Sequence, residues 1–128
     1  MITPEDKNLL ITEICARIPY GLVCFVQSKN NPKILSEKEK FSYDMLGIYV
    51  RLINEESHIV KPYLRPMSSM TEEEQKEYDV FCCEPYLGID ETTASNFIDW
   101  LNAHHFDYRD LIEKGLALEA SEGMYKEK

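Results

Sequence analysis

The N-terminal segment has the pattern of an amphipathic helix with a defined start and stop. Thr3 can cap the free N–H groups of a first turn, and Pro4 suits the first helical position. The apolar residues that follow share one helical face: Leu10, Ile11, Ile14, Cys15 and Ile18. Residues 19–21, Pro-Tyr-Gly, interrupt the pattern. The sequence therefore predicts a helix over residues 4–17 whose apolar face has to be covered by another layer.

Several β-strands are predicted after this helix. Residues 22–27 are apolar on both alternating faces, which is typical of a strand covered on both sides. Residues 33–44 are mostly polar and predict an irregular or edge hairpin. In residues 45–53 apolar side chains alternate along the chain, which predicts a strand with one wet side. A short strand begins at His58, and Pro62 favours an edge position or an extended form for it.

The second half of the sequence carries helix signals. Thr71 and Glu74 form a capping-box pattern that opens a second helix, and Pro85 ends it. A third, amphipathic helix starts near residues 92–93. A last short helix is predicted from about Asp110, with Gly115 as its C-terminal cap.

The order helix, strands, helices predicts an α+β fold. An N-terminal helix would cover a small, bent, antiparallel sheet, with the C-terminal helices packed on or beside it. An SH3-like or Sm-like barrel is one compact solution. A chain of 128 residues, 44% of them hydrophobic, has material for one core. We therefore expect a single domain over residues 1–128, with helix plus sheet in 1–69 and an acidic helical part in 70–128.

Charge is distributed unevenly along the chain, whose net charge is −9. Residues 1–69 hold nine basic and eight acidic residues, a net charge of +1, whereas residues 70–128 hold five and fifteen, a net charge of −10. A negative field repels phosphate backbones, so direct nucleic-acid binding is disfavoured. The charge fits a basic protein partner, or it serves solubility alone.

The expected compartment is the cytoplasm. No stretch approaches the roughly 20 apolar residues of a membrane span, and no secretory leader pattern opens the sequence. No CxxC spacing occurs among the four cysteines, which predicts reduced, buried thiols rather than a metal site: Cys15, Cys24, Cys82 and Cys83. No cofactor is expected.

The densest group of reactive side chains lies between residues 100 and 109. Its candidate binding residues are Trp100, His104, His105, Phe106, Asp107, Tyr108 and Arg109. Imidazoles beside carboxylates can bind zinc or transfer protons. Adjacent histidines on a helix point about 100° apart, however, so a helix end at which they satisfy carbonyl groups is the favoured interpretation.

A second candidate segment is Lys61–Met67, KPYLRPM, which resembles a polyproline-type stretch with a basic and aromatic side. Its candidate binding residues are Lys61, Tyr63 and Arg65. Such segments dock into grooves of other proteins. The alternative is a rigid connector from sheet to helix.

Three strings of this sequence resemble a known family: KPYLRPMSSMTEEE at 61–74, DWLNAHHFDYR at 99–109, and LIEKGLALEA at 111–120. The opening CARIPYG at 15–21 is similar to that family too. It comprises small uncharacterised proteins of anaerobic gut bacteria and their prophages. The resemblance implies no catalytic residue, metal or cofactor. A prophage setting favours a small accessory or host-interaction protein. Asp110 stands where the family pattern has glycine.

These patterns lead to three functional hypotheses. The segments 61–66 and 100–108 carry aromatic and basic groups in polar strings that a core alone would not require, so a non-enzymatic protein-binding or accessory module of a mobile genetic element is favoured. One alternative is a small metal-dependent hydrolase centred on His104, His105 and Asp107. Another is an acidic nucleic-acid mimic formed by residues 70–128. The partner and the oligomeric state stay open.

Overall fold

The computed structural model describes residues 3–82, 91–121 and 123–125 and has an α+β fold. Its elements in chain order are α1 (Pro4–Arg17), β1 (Val23–Ser28), β2 (Leu35–Lys40), α2 (Leu46–Asn54), β3 (His58–Leu64), α3 (Glu72–Cys82), α4 (Glu91–Ala103) and β4 (Leu118–Glu119). Short 3-10 turns occupy Ile18–Tyr20, Tyr43–Met45 and Met67–Ser69. The predicted helix stop at Pro85 lies outside the described residues.

The N-terminal helix α1 has the predicted bounds. The Thr3 hydroxyl accepts a hydrogen bond from the Asp6 amide at 3.1 Å, which caps the first turn. Leu10 and Ile14 are buried against the sheet and α2. Gly21 ends the following 3-10 turn at a φ of +75°, a backbone angle that glycine adopts without steric cost. Local capping and one apolar face are therefore sufficient to set this element.

The sheet is mixed and has the strand order β2-β1-β3-β4. The pairs β1–β2 and β1–β3 are antiparallel, as predicted, and β2 is the edge strand expected in residues 33–44. The pair β3–β4 is parallel, so the expectation of an all-antiparallel sheet is wrong there. Helices α3 and α4 lie between these two strands in sequence and supply the long crossover that parallel pairing needs. Among the described residues β2 and β4 do not pair, so the sheet is open and forms no SH3-like or Sm-like barrel.

The strand β3 is longer and more central than predicted. It runs through Pro62 and lies between β1 and β4 instead of at an edge. Proline lacks the N–H that a central strand donates. β4 pairs only with Tyr63 and Leu64, so it begins beyond the proline and no β4 bond to Pro62 is required.

The segment predicted as a strand over residues 45–53 is helical, and this prediction is wrong. After a 3-10 turn, α2 runs from Leu46 to Asn54 and buries Tyr49 and Ile53, which are four residues apart. The helix is apolar on nearly every side, and Ile48 is 49% exposed. A helix that is apolar all round satisfies a period of two as well as a period of 3.6, so the pattern did not discriminate between them.

Of the other local predictions in the second half, one is confirmed and one is wrong. The capping box is confirmed: the Glu74 amide donates to the Thr71 hydroxyl at 3.2 Å, and the Thr71 amide donates to the Glu74 carboxylate at 2.9 Å. Residues 111–115 form turns and not the short helix that was predicted. Gly115 nevertheless has the positive φ of a cap, +78°, because its amide bonds back to the Ile112 carbonyl.

One core joins α1, β1, α2, β3 and the segment before β4. Cys24 belongs to this core and Cys15 is half-buried, and both are free thiols. The Cys82 side chain and Cys83 lie outside what the structure describes. In the described part of the chain no helix has the length and apolarity required to span a membrane.

Candidate functional site

The C-terminal end of α4 is the point where the candidate residues gather. The Phe106 amide donates to the Leu101 carbonyl and the His105 amide to the Asn102 carbonyl, which together form a Schellman cap. His105 occupies the left-handed position of this cap with a φ of +58°, where glycine is usual. The predicted helix end is therefore present, and the backbone there turns sharply enough to send adjacent side chains in opposite directions.

The two adjacent histidines have separate environments. His104 is half-buried and its Nδ1 donates to the Trp100 carbonyl at 2.8 Å, which is the carbonyl-satisfying role that was predicted. His105 is 2% exposed, and its Nε2 donates to the Tyr20 carbonyl at 2.9 Å. The His105 ring stacks on Tyr125 with 3.7 Å between ring centroids. The pair therefore does not form one binding site.

Burial keeps His105 neutral. Desolvation lowers the pKa of His105 to about 4, and the positive charges of Arg17 and Arg65 act in the same direction. Its Nδ1 is buried with no hydrogen-bond partner among the described residues. Protonation would place an unsatisfied N–H at that atom, beside cations. His105 is thus a structural group with Nε2 as its hydrogen-bearing nitrogen.

A buried ion-pair cluster lies beneath this turn. Arg17 is fully buried, and its guanidinium binds the Glu13 carboxylate at 2.7 Å and the Phe106 carbonyl at 2.7 Å. The second Glu13 oxygen lies 2.7 Å from Nε of Arg109, an ionic contact without hydrogen-bond geometry. We call Glu13 and Arg17 the buried ion-pair cluster, and Arg109, whose side chain is 53% exposed, contacts it from the surface. The cluster ties α1 to the string 99–109 across 89 residues of sequence.

A second ionic contact holds the Lys61–Met67 segment. Both terminal nitrogens of Arg65 bind the Glu74 carboxylate at 2.7 Å, and the guanidinium lies over the Phe106 ring, 4.5 Å from its centroid. The hydrogen bonds from Arg65 lower the pKa of Glu74 to about 2, although partial burial opposes the shift. Arg65 therefore acts as an internal clamp between β3 and α3.

Tyr125 fastens the C-terminal segment to the sheet. Its hydroxyl donates to the Tyr63 carbonyl at 2.7 Å and also contacts the Val23 carbonyl, while it accepts from the Val23 amide at 3.0 Å. Burial raises the pKa of Tyr125 well above its ordinary value. Tyr63, a predicted binding residue, thus meets this tyrosine through its backbone.

The arrangement does not bring the hydrolase candidates together. The Asp107 carboxylate accepts hydrogen bonds from the Leu111 and Ile112 amides at 2.8 and 3.0 Å. It therefore caps the following turn, whereas His104 and His105 face other groups. Among the described residues no group of three or more His, Cys, Asp or Glu side chains could hold a metal ion.

A surface depression lies between α3 and α4. It has a volume of about 430 Å³ and is lined by Glu77, Val80, Trp100 and His104. The Trp100 indole donates to the Glu77 carboxylate at 2.8 Å. Val80 is 61% exposed, so the depression presents apolar as well as charged surface. We call these four residues the α3–α4 depression.

The ten predicted binding residues therefore separate into two sets. His105, Phe106 and Asp107 are buried, and Arg65 is partly exposed but bound to Glu74. Those with partial or full surface exposure are Lys61, Tyr63, Trp100, His104, Tyr108 and Arg109. Tyr108 also packs inward, because its hydroxyl donates to the buried Asn102 at 2.9 Å.

Sequence reasoning missed Glu13, Arg17, Glu77, Val80 and Tyr125. A signal existed for the first two. They continue the spacing i, i+3, i+4, i+7 from Leu10 and Ile14, so they stand within the apolar face of α1. Two opposite charges four residues apart on a buried face predict an internal ion pair. Nothing local marks Tyr125, whose partners are 62 and 102 residues away.

Comparisons with protein-family models, with curated proteins and with solved structures give no significant match to this chain.

Proposed function

We propose that this chain is a non-enzymatic protein-binding module, and that the α3–α4 depression binds a basic segment of its partner. The observation that carries the proposal is an exposed aliphatic side chain, Val80, in a cleft that also holds the Glu77 carboxylate and the Trp100 indole. Exposed apolar surface with a polar rim is typical of protein interaction sites.

The contacts in the depression suit a lysine or arginine side chain. Such a side chain has an aliphatic stem, which can pack on Val80, and a cationic end, which can reach the Glu77 carboxylate. That carboxylate already accepts the Trp100 N–H, which fixes its position and leaves acceptor capacity for a second donor. Preorganised acceptors of this kind reduce the ordering cost of binding.

Charge around the depression supports the same partner class. Helix α3 holds five acids and one lysine, a net charge of −4, and four of its acids are exposed: Glu72, Glu73, Glu77 and Asp79. Asp99 adds an exposed carboxylate on α4. A field of one sign accelerates the encounter with an oppositely charged partner, and added salt weakens this attraction.

The geometry affects the two alternative functions, the hydrolase and the nucleic-acid mimic, in different ways. The metal-dependent hydrolase centred on His104, His105 and Asp107 loses its support, since each side chain is committed to a different internal partner. The acidic nucleic-acid mimic keeps some support from the acids on α3. It is the form our proposal takes if the basic partner is a DNA-handling protein. The family resemblance favours an accessory role on a mobile genetic element.

Capture of a partner with matched variants tests the proposal. The chain is immobilised and exposed to a lysate of its native host, in parallel with Val80→Lys and Ile34→Lys. These two side chains are equally exposed, 61% each, and Ile34 lies in the turn before β2. We expect the native chain and Ile34→Lys to retain the same basic protein, and Val80→Lys to lose it, because the added ammonium repels the cationic segment. Duplex DNA added as competitor identifies the mimic.

The proposal is overturned if the captured protein is acidic, if both variants retain it equally, or if the native chain captures none. Raised salt is a second measurement. Retention that does not weaken from about 0.05 to about 0.5 M salt contradicts a charge-based contact.

A further inference from the structure

A second cavity lies at the edge of β3 that β4 leaves unpaired. It has a volume of about 300 Å³ and lies between α1, the end of α2, β3 and the Gly115–Leu116 segment. This volume is at the lower end for small-molecule pockets, about 300–1,000 Å³. No residue of this cavity lines the α3–α4 depression.

The floor of the cavity is apolar. Leu10, Ile53, Val60 and Leu116 line it, and each is at most 5% exposed. They come from α1, α2, β3 and the segment before β4, so the floor is part of the rigid core. A ligand with an apolar body would gain burial there without displacing the core.

The rim carries charged groups with unused capacity. Lys29 and Lys61 both line the cavity, and neither forms an ion pair within the described ranges. Glu56 also lines it, and one of its carboxylate oxygens is 3.7 Å from the Lys7 ammonium. Its other oxygen, Oε1, has almost no accessible surface and no hydrogen-bond partner among the described residues, so it is closed to a ligand. Glu56 is also held at a φ of +53°, a strained angle for this residue type.

The edge of β3 adds backbone groups. β1 pairs with His58–Pro62 on one side, but on the other side β4 pairs only with Tyr63 and Leu64. In a strand, alternate residues direct N–H and C=O groups to each side. The stretch His58–Lys61 therefore presents groups toward the cavity that have no strand partner in the described chain, and all four of its residues line it.

We propose that this cavity binds an apolar amino-acid residue that has a free carboxylate and an N–H donor, as at the carboxyl end of a short peptide. The apolar side chain enters the floor, the carboxylate pairs with Lys29 and Lys61, and the N–H donates to a backbone carbonyl on the unpaired edge of His58–Lys61. A free amino acid offers the same apolar and carboxylate chemistry. This site is independent of the α3–α4 depression, so each proposal can fail alone.

Two-dimensional amide NMR of the full chain tests this with three probes. N-acetyl-L-leucine carries the apolar body, the N–H and the carboxylate, and N-acetyl-L-leucinamide lacks only the charge. The third probe is an acetylated tripeptide ending in leucine, which extends the first probe toward its N-terminus by two residues. For a probe of this size we expect a Kd of about 1 mM. Shifts should appear at His58–Lys61 and Gly115, with about tenfold weaker binding of the amide.

Variants locate the charge contact. Lys61→Gln and Lys29→Gln should each weaken N-acetyl-leucine binding about three- to tenfold, whereas Lys33→Gln, an exposed lysine in the turn before β2, should not. Native-like spectra of each variant exclude unfolding as the cause. If the tripeptide binds as tightly as N-acetyl-leucine or more tightly, the natural ligand is the carboxyl end of a peptide. If the tripeptide does not bind, the peptide is overturned as the source and the ligand is a free amino acid. Equal binding of the amide, or no shift at about 10 mM probe, overturns the site.

Discussion

The buried ion-pair cluster and the α3–α4 depression each contain a glutamate whose carboxylate accepts a hydrogen bond from a side-chain nitrogen. In the cluster, a carboxylate and a guanidinium are fully enclosed, and every strong contact is made within the chain. In the depression, a carboxylate and an indole meet beside an exposed aliphatic side chain. Side-chain type alone therefore does not identify a functional site. The buried ion-pair cluster and the depression differ in whether the polar groups are already bound within the chain or still accessible to a partner.

Removing the guanidinium of the cluster should have the largest effect. Arg17→Met leaves the Glu13 carboxylate and the Phe106 carbonyl without their buried donor. We expect the free energy of unfolding to fall by about 3–5 kcal/mol, measured by urea unfolding at neutral pH. Arg51→Met is the matched control, because that arginine is 75% exposed in its own i, i+4 pair, and it should cost less than about 0.5 kcal/mol.

A second variant sharpens this test. Glu13→Leu combined with Arg17→Met removes both buried charges, so it should recover part of the loss seen with Arg17→Met alone. The cluster is not a stabilising contact if Arg17→Met unfolds within about 1 kcal/mol of the native chain.

The next effect is a loss of stability between neutral pH and pH 4. The pKa of His105 is about 4 in the folded chain and ordinarily 6.5, so on acidification the unfolded chain takes up the proton first. This contribution is complete above about pH 6.5, falls as the pH drops toward 4, and amounts to about 2–3 kcal/mol. In His105→Asn, whose new side chain tolerates positive φ, that slope should disappear. Urea unfolding at several pH values measures it, and an unchanged slope contradicts the assignment.

A smaller effect is expected in a lower pH window. The pKa of Glu74 is about 2 in the folded chain and ordinarily 4.5, so its contribution is present above about 4.5 and is lost as the pH falls toward 2. Because solvent screens this partly exposed pair, we expect about 1–2 kcal/mol. Glu74→Gln should lower stability at neutral pH and flatten the curve in that window. The exposed Glu73→Gln is the control at neutral pH, and equal losses in the two variants would contradict the clamp.

The smallest effect on stability belongs to the depression. Val80→Lys should change the free energy of unfolding by less than about 0.5 kcal/mol, as should Ile34→Lys, because both side chains are mostly in solvent. Thermal and urea unfolding of the two variants check this. A loss above about 1.5 kcal/mol in Val80→Lys alone would show that Val80 contributes to packing, as the residues of the buried ion-pair cluster do.

The parts of the fold that were predicted correctly rest on short-range signals. Thr3 and Pro4 set the start of α1, and Thr71 with Glu74 opens α3, through contacts three residues apart. The wrong prediction of a strand at α2 arose because no short-range signal was present there and only the hydrophobic pattern was used. Ile48 is apolar yet about half exposed, so hydrophobicity alone assigned it to a buried row that does not exist.

Two residues of the α3–α4 depression were candidates from the sequence, Trp100 and His104, whereas Glu77 and Val80 were not. Trp100 and His104 do line a depression, but His105 and Phe106 turn inward at the Schellman cap. That inversion depends on a backbone angle of +58° at a histidine. Residue preferences alone favour glycine at such a position, so they do not predict it here.

The sequence by itself determined the α+β class, the bounds of α1, the capping box and the acidic second half, because each follows from composition or from neighbours within four residues. The tertiary structure alone decided the helical state of α2, the parallel β3–β4 pair and the burial of Glu13 with Arg17. These features depend on which faces meet across tens of residues. The free energy of such contacts arises only when distant segments exclude water together, and a local pattern does not encode that choice.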